Sequence, residues 1–223
     1  MCSSDLGNVL SYEGPFGVGY CVAELKWESC SKENNLLKEY IGNKNQRMEE
    51  IRQKEDPYVR LARTTLENRV RHNKKTELPQ DLPKEMIEKK AGIFVSIKKD
   101  GELRGCIGTI SPTSKNIAHE IMQNAISAGL KDPRFFPVEE EELDYLTYSV
   151  DVLGEPELVE SLDELDPKRY GIIVKKGMRT GLLLPNLEGV DTVEEQISIT
   201  LRKAGIRENE HYQVERFEVI RHS

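Results

Sequence analysis

The residues whose types and spacing carry the most chemistry are Leu103-Arg104-Gly105-Cys106-Ile107-Gly108-Thr109. Strand alternation sends Arg104 and Cys106 to one face, about 7 Å apart at Cα, and Ile107 to the other. A guanidinium beside a thiol favours the thiolate, the form that acts as nucleophile or ligand. Glycine weakens a strand, so Gly105 and Gly108 point to close approach of something to the backbone, a ligand or a packed helix. The same cysteine reads equally as a small apolar core filler. Cys106 and Arg104 are therefore the candidate catalytic pair, with Gly105, Gly108 and Thr109 as candidate substrate contacts. Asp132-Pro133-Arg134 adds a rigid loop that presents an acid and an arginine to a cleft, or ties itself down by a salt bridge. Asp132 and Arg134 join the candidate substrate-binding set. Lys175-Lys176-Gly177-Met178-Arg179 is a basic hairpin tip, suited to a phosphate or an acidic partner or simply to solubility.

Other chemistries are excluded by what the chain lacks. It has no Gly-rich phosphate loop, no serine elbow and no Cys-x-x-Cys. His72, His119, His211 and His222 are scattered and read as surface or hydrogen-bonded groups, and Glu139 to Glu142 as a solvated face. No metal site is expected.

These residues need elements to hold them. Asp56-Pro57 starts a helix, an acceptor at the N-cap and proline at the first position, and Leu61, Ala62, Leu66 and Val70 carry it to about His72. Ile93 to Ile97 and Glu102 to Ile110 form a hairpin over Asp100-Gly101. Ile117, Ala118, Ile121, Met122, Ala125 and Ile126 mark a helix from about Ser114 to Gly129. Leu146, Tyr148, Val150 and Val152 alternate as a half-buried strand. Tyr170 to Lys175 and Gly181 to Leu184 make a second hairpin, Thr192 to Ala204 a helix closed by Gly205, and Tyr212 to Arg221 a last strand. Apolar parity slips between Val214 and Phe217, the mark of a bulge or of burial on both faces. Strands in hairpins with three interspersed helices predict an α+β fold with an antiparallel or mixed sheet.

Upstream, Val9 to Tyr12 and Val18 to Val22 read as a hairpin turning at Gly14 to Gly17, too small to stand alone. Residues 28–55 are almost wholly polar, a linker with a solvated helix in it. The expected division is 1–27, 28–55 and 56–223. The whole chain has 223 residues, 32 basic and 39 acidic side chains and a net charge of −7. That balance disfavours nucleic acid, which needs a basic footprint. No run approaches the roughly 18 apolar residues of a membrane span, and the four cysteines are too few and irregular for a disulfide scaffold. A cytoplasmic protein is expected.

Leu103 to Thr109, followed in order by Asp132 to Phe135, Ser149 to Leu153, Gly181 to Pro185, Lys203-Ala204-Gly205 and Arg216-Phe217, resembles the AMMECR-type domain over 56–223. The bacterial branch is similar to protein A of the AmmeMemoRadiSam system. The resemblance implies two lobes with a cleft between them, lined partly by the signature strand, and a part in a redox-linked modification. It implies a Memo-like protein and a radical-SAM protein as partners, and it brings neither a reaction nor a cofactor. A non-enzymatic module docking those partners is the rival expectation. Phe136 stands where the family often has proline, and Thr200 lies near where many relatives carry a second cysteine. Ser11 to Tyr20 resembles the C-terminal end of LigB-like class III extradiol dioxygenase and Memo-like domains. No histidine precedes His72, so iron would belong only to a missing upstream domain, and ring cleavage only to an uncut gene product. Cys2 to Leu6 matches a translated sequencing adapter, so Met1 is expected not to be a native start.

Overall fold

The computed structural model describes residues 7–13, 20–25 and 36–223, in two compact units, Met1–Asn43 and Lys44–Ser223. In the first unit, β1 (Gly7–Glu13) and β2 (Tyr20–Leu25) pair antiparallel, from Gly7 opposite Leu25 to Glu13 opposite Tyr20. The turn expected at Gly14 to Gly17 lies outside the described residues. Helix α1 runs Leu36–Lys54, inside the stretch expected as linker.

From Lys44 onward α1 belongs to the second unit. Met48 is buried, and Arg52 donates to the Leu143 carbonyl at 3.3 Å. The polarity of this stretch is that of a helix seated on ion pairs, not only of a spacer.

Helix α2 (Pro57–His72) starts as its sequence dictates: Asp56 Oδ1 accepts from the amides of Tyr58 (2.9 Å) and Val59 (3.0 Å). After the short α3 (Lys84–Glu88) come β3 (Ile93–Lys99), β4 (Glu102–Thr109) and α4 (Ile117–Leu130). Then follow β5 (Leu146–Leu153), the two-residue β6 (Glu157–Leu158), β7 (Gly171–Lys176), β8 (Arg179–Leu183) and α5 (Val193–Ala204). The last two strands are β9 (Gln213–Phe217) and β10 (Val219–His222).

The strands of the second unit form two antiparallel four-stranded sheets, ordered β10-β5-β3-β4 and β6-β9-β7-β8. In the first lobe Ile93, Val95, Ile97, Tyr148 and Val150 pack under α2 and α4. In the second, Ile172, Val174, Leu183 and Val214 pack under α5. A third cluster joins the lobes, with Leu153 and Phe94 meeting Ile173, Leu182 and Phe217. The single strand expected from Tyr212 to Arg221 is two strands in two sheets, broken at Glu218. Its parity slip has a plain cause: Val214 faces the α5 core while Phe217 faces the inter-lobe cluster. The second lobe is thus an insertion that leaves at Gly154 and returns at Glu218, and the Gly154 amide donates to the Glu218 carbonyl at 2.8 Å.

Candidate functional site

Strand β4 is an edge strand, and the signature residues are distributed along it by a bulge. The register passes from Ile97 opposite Gly105 to Lys98 opposite Leu103, leaving Arg104 unpaired. A bulge re-aims its side chain. Arg104 Nε and Nη2 donate to Glu142 at 3.0 and 2.8 Å, Nη1 to the Phe136 carbonyl at 2.9 Å and Nη2 to that of Pro137 at 3.4 Å. Hydrogen bonds from Arg104, with Lys99 adding another, hold the Glu142 carboxyl down at about 2. This corrects the expected pairing: every nitrogen of Arg104 is spent on pinning residues 136–142, so it is not the electrostatic partner of Cys106.

Cys106 lies opposite Ser96, whose hydroxyl donates to Sγ at 3.3 Å, and it is half-buried. Its backbone is clamped. Asp132 Oδ2 accepts from the Cys106 amide at 2.9 Å, and Arg134 Nη2 donates to the Cys106 carbonyl at 3.0 Å. The loop thereby satisfies on an edge strand the two groups an added strand would take. Arg134 Nε and Nη2 also bind Asp132, at 2.9 and 2.7 Å. Those bonds hold the buried Asp132 carboxyl well below the usual range and raise the guanidinium in turn. Asp132 and Arg134 form both a loop-anchoring pair and the cradle of Cys106.

Arg134, beside Cys106, and Arg221, on β10, belong to the first lobe, and Lys203, at the end of α5, to the second. Arg221 donates to the buried Asp151 through Nε at 2.7 Å and Nη2 at 3.1 Å, and this pairing raises it. Lys203 Nζ donates to the Leu182 carbonyl at 2.9 Å. Burial pushes the Lys203 ammonium below its ordinary value.

The remaining candidates are tied into the fold. A Cβ on Gly105 would sit 2.2 Å from the Ala128 carbonyl oxygen, so this glycine admits the close approach of α4. One on Gly108 would meet the Phe94 ring at 2.2 Å. Thr109 donates through Oγ1 to the buried Glu120 at 2.7 Å. Burial opposes ionisation of Glu120, but bonds from Thr109, Thr113 and Ser114 outweigh it and lower its pKa. The basic hairpin tip is paired rather than free, Lys175 with Glu215, while Lys176 and Arg179 share Glu210. Thr200 donates to the Gln196 carbonyl at 2.6 Å.

Three grooves, of about 440, 400 and 410 Å³, are lined by none of residues 103–109. The lobes meet on the third apolar cluster, and the first of these grooves, lined by Gly154, Tyr170, Phe217 and Glu218, opens at their junction. Among the described residues no group of three or more His, Cys, Asp or Glu is gathered to hold a metal, and no helix is long and apolar enough to cross a membrane. Lys203, Asp151 and Arg221 were not singled out from sequence. The first two do fall inside the motif runs Lys203-Ala204-Gly205 and Ser149 to Leu153, which was the available signal.

The fold and the clamped signature strand define a two-lobed α+β domain built around a single strand-borne thiol. The chain belongs to the AMMECR1 family, whose model matches residues 59–222. A protein of Clostridium acetobutylicum is 52% identical over 217 residues, 97% of this chain and 46% of its own length, so the chain spans less than half of that relative. A Thermotoga maritima protein is 52% identical over 170 residues, 75% of this chain and 98% of its own. The crystal structure of an uncharacterized protein from Pyrococcus horikoshii superposes with a TM-score of 0.68 at 36% identity, covering 74% of this chain and 88% of that one.

Proposed function

We propose that Cys106 is the working group of this domain, a nucleophilic or redox-sensitive thiol acting on a small molecule or protein group held where the lobes meet. The observation that carries the reading is the fixing of Cys106, whose amide donates to Asp132, whose carbonyl accepts from Arg134 and whose Sγ accepts from Ser96. The Asp132–Arg134 clamp holds the backbone that carries the thiol in one place. The resemblance to protein A of the AmmeMemoRadiSam system supports a part in a redox-linked modification in the cytoplasm. A Memo-like or extradiol-dioxygenase protein and a radical-SAM protein are its partners in this reading. Iron enters only through an upstream domain fused to this one.

Iodoacetamide labelling followed peptide by peptide tests the thiol. Cys106 in the folded chain should label faster at neutral pH than Cys106 in the urea-unfolded chain. A Cys106 inert across the pH range, with Cys106→Ala folded and still binding its partners, overturns the reading.

A second reading, a docking module without chemistry, is favoured by Phe136, which is 90% exposed on the loop that Arg104 pins. A rigid exposed aromatic has the character of an interface anchor. Under this reading Phe136→Ala abolishes co-purification with the Memo-like and radical-SAM proteins, whereas Cys106→Ala leaves it intact.

A further inference from the structure

We propose that residues 44–54, the second half of α1, are a releasable strap. Their basic face docks on an acidic seat of the first lobe and, while docked, braces the bulged end of the signature strand. The strap turns Lys44, Met48, Ile51 and Arg52 inward as one helical stripe, and the rest of it is exposed. Only Met48 is buried, so charge does most of the holding. Lys44 Nζ lies 2.7 Å from Asp100 Oδ1 and 4.5 Å from the centre of the Tyr145 ring. Arg52 Nη2 donates to the Leu143 carbonyl at 3.3 Å and reaches Asp144 and Glu67 at 3.5 and 3.6 Å. The family match begins at residue 59, downstream of the strap, which is therefore an addition to the shared domain.

Two features make this a seat that the strap can leave. The acids that Arg52 approaches have closer partners of their own, Arg71 on Asp144 at 2.7 Å and Arg63 on Glu67 at 3.1 Å. Release therefore strands no buried carboxylate, the penalty that holds a buried ion pair closed. Docking, in turn, leaves Arg52 Nε buried without a partner among the described residues, and an unmet donor costs the docked state its desolvation. The seat also adjoins the signature strand. Leu143, Asp144 and Tyr145 end the 3-10 turn Glu140–Tyr145, and Asp100 lies in the turn between β3 and β4. Glu142 of that 3-10 turn binds Lys99 at 3.0 Å and Arg104, on the bulge, at 2.8 Å. The strap thus grips both of the pieces that Glu142 ties together, one ion pair away from the bulge that precedes Cys106.

The test is amide hydrogen exchange of the full chain, followed peptide by peptide at low and high sodium chloride. Between about 0.05 and about 0.5 M the screening length falls from roughly 14 Å to about 4 Å. Residues 44–54 should exchange about tenfold faster at high salt, the effect of losing one charge-assisted bond, while α2 keeps its rate. Arg52→Gln should give the same acceleration at low salt and abolish most of the salt dependence. Arg47→Gln, on the exposed side of the same helix, should leave exchange unchanged, which separates lost docking from lost helix propensity. In Arg52→Gln the amides of Glu140–Tyr145 and of residues 103–106 should quicken with the strap. A strap that exchanges as slowly as α2 at both salts is part of the core, and one unprotected at both never docks; either result overturns the proposal. An accelerated strap beside an unmoved 3-10 turn and signature strand overturns the bracing.

Discussion

Glu142 and Asp132 are acids made stronger by the arginines they hold, and together they fix the two ends of one loop. Glu142, ordinarily near 4.5, is held at about 2 by Arg104. A carboxyl whose folded value is depressed adds stability that is fully present above its unfolded value and is lost as pH falls through the folded one. The Arg104–Glu142 contribution should therefore be complete above about pH 5 and fade towards pH 2. In urea titrations across that window Glu142→Gln should lower the midpoint at the upper end and converge on the native chain at the lower end. A constant difference at every pH would assign the effect to packing. Asp132 acts on the signature residue itself. Asp132→Ala leaves the Cys106 amide without its acceptor and frees Arg134, and should cost about 2 kcal/mol in the same measurement. A change of less than a few tenths would show that the clamp is dispensable to the fold.

At the scale of elements, the contact between β4 and α4 is set by the absence of a side chain. Gly105→Ala drives a Cβ onto the Ala128 carbonyl at 2.2 Å, in the last turn of α4, and a backbone atom has no rotamer by which to move aside. The expected loss is about 3 kcal/mol, the upper end for overpacking. Gly108→Ala meets the Phe94 ring at 2.2 Å and the Ile93 carbonyl oxygen at 2.6 Å; only the ring can turn, so the loss should be comparable, and a change of less than a few tenths of a kcal/mol in chemical denaturation would show that the strand yields. The glycines announced close approach from sequence but not its agent, because strand alternation is blind to a bulge and Arg104 sits on one. Elements with strong local signals were legible: α2 from Asp56-Pro57, and α5 from its Thr192 cap through to Gly205. Helix α3, with five residues, and β6, with two, are too short to show a period. Arg221 could not be read as sharing a sheet with Cys106, since only the pairing of β10 with β5 puts it there.

At the scale of the molecule, the second lobe hangs on two adjacent crossings, Gly154 and Glu218, and on the apolar cluster between the sheets. It has its own core under α5, so its stability is separable in principle from that of the first lobe. Phe217 is the largest fully buried side chain in the inter-lobe cluster. Phe217→Ala should cost about 4 kcal/mol by cavity formation, and the loss should not be shared evenly. Amide hydrogen exchange resolves such sub-global openings. In the variant, amides of β7 and β8 should exchange through an opening that leaves β3 and β5 protected, whereas the native chain should open both sheets together. A uniform fall in protection would mean that the lobes form one cooperative unit and that the third cluster is no seam.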